Sequence, residues 1–136
     1  MGYPGERLED LKTSVAFILW QQEFWSSFYP VGTPEYANAL DAVNRKMFTA
    51  TAYPGTTMWN VVQPDLEKYF DIKFDETGTP ICDDNFHQYV LELDDATKVL
   101  TSLNGEDVNY GAMSLDTFLE AREHVNNDEI EKILEM

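Results

Sequence analysis

The sequence has one cysteine, two histidines and nine basic residues, and each scarcity closes a class of explanation. Cys82 alone cannot form an internal disulfide, so the chain does not read as a stapled secreted scaffold, and a reducing cytoplasm is the expected setting. His87 and His124 are too few for a zinc site, which wants three or four protein ligands. Nine Lys and Arg stand against 25 Asp and Glu, for a net charge of −16. A field of that sign repels nucleic acid and anionic membranes and attracts basic surfaces. Long apolar runs are also missing. The run Val15-Ala16-Phe17-Ile18-Leu19-Trp20 falls far short of the roughly 20 residues a spanning helix needs. Glu6, Glu9 and Asp10 precede it where a signal peptide would be basic, and Glu6 takes the Ser/Thr position of a myristoylation motif starting at Gly2.

Catalytic signatures are absent as well. There is no G-x-S-x-G elbow, glycine-rich phosphate loop, H-E-x-x-H or C-x-x-C. His87 follows Cys82, Asp83 and Asp84 at the start of a helical pattern, and reads as an exposed imidazole on an acidic helix start. His124 has Glu120 one turn before it and Asp128 one turn after. A carboxylate-bridged di-iron site would want Glu at position 121, where the chain has Ala, so a solvated helix face is expected. These patterns predict no enzyme, no metal and no cofactor.

What remains, with 43% hydrophobic and 25% charged residues in 136, describes a globular chain rather than a disordered one. The expectation is a single acidic α-rich domain over 1–136, mainly α, with about four to six helices. Breaks at "YPG" (3–5), "YPVG" (29–32) and "YPG" (53–55) set element ends. A long helix is predicted over 6–28. A second, over 34–51, starts on Thr33 as cap, Pro34 at the first helical position and Glu35 at the positive end of the dipole. One or two short helical turns follow, with Pro64 opening the second. The alternation of Phe70, Ile72 and Phe74 with Asp71, Lys73 and Asp75, then a turn at Thr77-Gly78, predicts a short β-hairpin near 69–82. A helix over 84–103, capped by Asp83 or Asp84, presents Phe86, Tyr89, Val90, Leu93, Ala96, Thr97 and Leu100 on one face and stops at Asn104-Gly105. Ser114 is the expected cap of a helix over 115–125, and a last turn or two carries Ile130, Ile133 and Leu134.

The long helix holds the least ordinary feature. Around a helical wheel, Leu8, Leu11, Val15, Ile18, Leu19, Gln22, Trp25 and Tyr29 fall on one side. Phe17, Trp20, Phe24 and Phe28, spaced 3, 4 and 4 apart, form a wholly aromatic stripe opposite. Four aromatics in a row are costly to leave wet, so the expectation is that other helices cover both sides. The alternative leaves Phe17, Trp20, Phe24 and Phe28 as a homodimer seam or a protein-binding groove.

Charge is unevenly placed. Residues 1–60 hold four bases against six acids, whereas residues 61–136 hold five against nineteen. In character the chain resembles the broad class of acidic inhibitor and immunity proteins, which includes nuclease-immunity proteins and phage-encoded blockers of DNA-directed defence enzymes. The resemblance implies a DNA-mimic surface for a basic protein partner such as a nuclease, with no direct contact to nucleic acid or membrane. The candidate partner-binding acids are Asp83, Asp84, Glu92, Asp94 and Asp95, then Glu106, Asp107, Asp116, Glu120 and Glu123.

Overall fold

The computed structural model describes residues 1–93 and 100–136. It is mainly helical: α1 (Leu8–Ser26), α2 (Pro34–Asp41), α3 (Thr57–Val61), α4 (Gln63–Phe70), α5 (Asp84–Glu92), α6 (Leu115–Asn126) and a C-terminal 3₁₀ helix (Ile130–Glu135). The described residues form no sheet, only two isolated bridges. They gather into two compact units, residues 6–47 with 116–136 and residues 1–5 with 48–115.

The first of these units is built on α1, which packs against α2 and the 3₁₀ helix. Its start is held by Asp10, whose carboxylate accepts the Arg7 backbone N–H at 2.9 Å. That hydrogen bond, followed by the one from the Arg7 side chain, holds the Asp10 carboxyl below its ordinary range. Leu11 and Val15 are fully buried, and Ile18, Leu19 and Gln22 half-buried, as the aliphatic side of the wheel requires. The helix ends where Ser26 and Ser27 turn their hydroxyls back onto the carbonyls of Glu23 and Phe24, at 3.1 and 2.6 Å. Gly32, at φ +85°, then redirects the chain. The Thr33 hydroxyl caps α2 by accepting the Tyr36 N–H, with Pro34 first in the helix.

The expected helix over 34–51 stops at Asp41 instead. Past that point the Asn44 side chain accepts the Lys46 N–H at 2.9 Å, a local turn that competes with helix. Arg45 is drawn away to the far end of α6. Its Nε donates to Asp128 Oδ1 (2.9 Å), and its Nη2 donates to the Asp128 carbonyl (3.1 Å) and Glu131 Oε2 (2.6 Å). Its Nη1 donates to Gln22 Oε1 (3.3 Å), while Gln22 itself donates to the Leu40 carbonyl. The partner of this fork is a helix terminus in left-handed conformation. Asp128 has φ +58°, its N–H returns to Val125 O, and the Glu129 N–H returns to His124 O, closing α6 before the 3₁₀ helix begins. Phe118, Ala121, Ile130 and Ile133 are all fully buried, whereas Leu134 is exposed.

The second unit has an aromatic core. Trp59 lies against Phe74, Phe86 and Tyr89, with centroids 5.7–6.2 Å apart, and Tyr89 meets Phe70 edge-on at 4.8 Å. Val62, Leu66, Ile72, Leu100 and Val108 complete it. The hairpin predicted near 69–82 reduces to one bridge, Phe74 to Pro80. The Asp75 carboxylate gathers the turn by accepting from the Thr77 hydroxyl and the Thr77 and Thr79 N–H groups. That leaves too little extended chain on either side for a ladder. The helix expected over 84–103 ends at Glu92, and its predicted core positions Ala96 and Thr97 lie outside the described residues. Val90, assigned inward, is exposed. Asn104-Gly105 does not stop a helix here. It forms a tight turn between Leu100–Ser102 and Glu106–Val108, bridged at Thr101 and Asp107, with Gly105 at φ +79°.

Candidate functional site

Among the described residues nothing supplies the covering expected over the aromatic stripe. Phe17, Trp20, Phe24 and Phe28 are 56%, 54%, 44% and 62% exposed. Both elements that pack on α1 meet its aliphatic side, with α2 too short to wrap further. Trp25 and Tyr29, assigned to the buried side, are exposed at 52% and 42%. Trp25 lies roughly 60° around the wheel from the line of Leu11, Val15 and Gln22, and its bulk leans toward the aromatics rather than into the core. Phe17, Trp20, Phe24, Trp25 and Phe28 form one ridge.

Its geometry follows from helical spacing. Rings three and four residues apart are neighbours on a helix. Phe17 stacks on Trp20 at 5.7 Å, Trp20 on Phe24 at 5.4 Å, and Phe24 meets Phe28 edge-on at 5.2 Å. Trp25 contacts Phe24 and Phe28 at 6.1 and 6.2 Å. Such contacts, worth about 0.5–1.5 kcal/mol each beyond burial, cover part of each ring and leave the outward faces in water. Between Thr13 and Pro34 only Glu23 is charged, in a chain where a quarter of all residues are. A ridge rich in aromatics and nearly free of charge has the composition of an interface centre. Beside it, Trp25 and Tyr29 form one wall of an open groove of about 300 Å³ whose remainder is Glu35, Asn38, Ala39 and Ala42 of α2.

The predicted acidic residues divide. Asp84, Glu106, Asp116, Glu120 and Glu123 are exposed. Asp83 is occupied as the cap of α5, accepting the Phe86 N–H at 3.0 Å. Glu92 is half-buried and accepts from Gln88, and Asp107 is half-buried at the second bridge. Asp94 and Asp95 lie outside the described residues. His87 is exposed on α5. His124 sits 3.9 Å from Glu129, while the Asp128 carboxylate expected near it is held by Arg45. Among the described residues no group of three or more His, Cys, Asp and Glu is arranged to hold a metal, and no helix is long and apolar enough to cross a membrane.

Sequence reasoning missed a second aromatic cluster. Tyr3, Phe48 and Tyr53, all exposed, line a groove of about 350 Å³ with Thr49, Ala50, Thr51 and Met58. The clue was the repeated Tyr-Pro-Gly, since the turns at 3–5 and 53–55 bring their tyrosines to one place. No known protein family, curated protein or solved structure matches the chain.

Proposed function

We propose that this chain is a non-enzymatic protein-binding module that docks through the aromatic ridge of α1. The observation carrying the reading is five packed aromatic rings, each 44–62% exposed, on a segment with a single charge. Monomeric proteins rarely leave a contiguous apolar patch of more than a few hundred Å² in water, and Trp and Tyr are the residues that most often carry binding energy. Affinity capture from cells of the native host tests it with wild type and a Trp20→Ser, Phe24→Ser variant. Partners held by the wild type should be lost by the variant and retained in high salt. An unchanged set of partners on the variant would overturn the reading.

A second reading is favoured by the net charge of −16 and by the exposed Asp84, Glu106, Asp116, Glu120 and Glu123. Here the chain is an inhibitor or immunity-type protein in a reducing cytoplasm. Its carboxylates occupy the basic surface of a nucleic-acid-handling enzyme, steering fast association and excluding the nucleic acid. Such a complex dissociates as ionic strength rises, which separates it from one held by the ridge.

A further inference from the structure

We infer that the occupant of the ridge is a second copy of this chain, with α1 of the two copies packed antiparallel. The inference rests on the ridge being a docking surface and names what docks there. Its first support is symmetry. Phe17 and Phe28, and likewise Trp20 and Trp25, are placed evenly about the Gln22–Glu23 peptide bond. In a two-fold interface residue i meets residue j while j meets i. A dyad at that point sets Phe17 of one copy against Phe28 of the other and puts Phe24 near the axis. Trp20 and Trp25 then lie on opposite flanks. A surface for an unrelated partner has no reason to repeat its aromatic types about its own midpoint.

Area is the second support. Five rings of about 150–250 Å² each, roughly half exposed, present on the order of 500 Å². With the rim residues of α1 this approaches the roughly 800 Å² per partner of a stable interface. Charge is the third. Two copies of a chain at −16 repel one another, and any contact through the acid-rich residues 61–136 would set carboxylate against carboxylate. The ridge segment has only Glu23, which the helical period turns about 100° away from the ring faces. It is the face on which like copies meet without opposing charges.

Sedimentation velocity of the full chain, from low to high micromolar concentration, tests the inference. The expected result is a concentration-dependent monomer–dimer equilibrium. Phe24→Glu should weaken it by about tenfold or more with the far-UV circular-dichroism spectrum unchanged, and Trp20→Ser should do the same should the glutamate variant fold poorly. The register adds a sharper outcome. Phe17→Glu should break the dimer, and adding Phe28→Lys to it should restore association, because the new charges face each other only in the antiparallel pair. A wild type monomeric throughout would overturn the dimer, as would a dimer indifferent to all four substitutions. If that monomer still loses its captured partners on Trp20→Ser, Phe24→Ser, the docking reading stands with a different occupant. Flotation of the monomer with neutral phosphatidylcholine vesicles through the same residues would equally replace the second copy.

Discussion

At the scale of single residues, Tyr89 and Tyr110 give the second unit a defined response to alkali. The Tyr89 hydroxyl donates to the Ala52 carbonyl at 2.5 Å. The Tyr110 hydroxyl is buried beside that of Tyr89. Burial, first among the causes, pushes both phenols above the ordinary tyrosine value. The unfolded chain therefore releases these protons first. Their contribution is intact below about pH 10 and falls as pH rises beyond it. Melting temperature followed against pH should show that decline, and it should be shallower in Tyr110→Phe. At neutral pH, Tyr89→Phe should cost about 1–2 kcal/mol by stranding the Ala52 carbonyl, whereas Tyr110→Phe should be neutral or stabilising. Asp75 behaves oppositely. The Thr77 hydroxyl, then the Thr79 and Thr77 N–H groups, lower its carboxyl, so the turn's contribution is present above the ordinary carboxylate range and is lost as pH falls through the depressed value. In the first unit, Arg45→Ala removes a guanidinium that ties Gln22, Asp128 and Glu131 together. Its partners are largely exposed, so thermal unfolding should report only about 1–2 kcal/mol, decreasing with added salt.

At the scale of elements, local chemistry was legible in the sequence and tertiary competition was not. The Thr33-Pro34 start of α2, a cap for α5 at Asp83 or Asp84 and the presence of a long α1, expected over 6–28 and found at Leu8–Ser26, could be read from capping types and periodicity. The end of α2 could not, because Val43 and Met47 continue a helical pattern that Asn44 abandons for a local turn with Lys46, and Arg45 for partners 83 and 86 residues away. Asn104-Gly105 ends a helix and turns a hairpin equally well, and what lay before it decided the outcome. For the candidate site, the spacing of Phe17, Trp20, Phe24 and Phe28 announced the stripe. Periodicity sorts residues into faces without saying which face is covered, so neither its exposure nor the addition of Trp25 was visible. The two kinds of aromatic should respond differently to truncation. Phe118→Ala, at a fully buried position of α6, should cost about 3–5 kcal/mol in chemical denaturation. Phe24→Ser on the ridge, which gives up three ring contacts but no core position, should cost the protomer only about 1.5–2.5 kcal/mol and show its larger effect in association.

At the scale of the whole molecule, charge and apolar surface are segregated along the chain. Residues 61–136 hold nineteen of the 25 acids, while the ridge occupies the segment from Thr13 to Pro34 with one. A seam along α1 uses none of the acids of residues 61–136. The two proposed modes of association differ in salt dependence. Affinity for a basic partner should fall steeply as ionic strength rises, and self-association should hold or strengthen. The central claim is that the ridge is wet in the protomer and dry in the assembly, and tryptophan emission reads this directly. Trp59 is only 2% exposed, so quenching by a neutral solute reports on Trp20 and Trp25. Acrylamide quenching measured across a dilution series should be strong in dilute protein and fall as concentration brings copies together. Quenching that stays strong at every concentration would leave both tryptophans wet throughout and contradict the account.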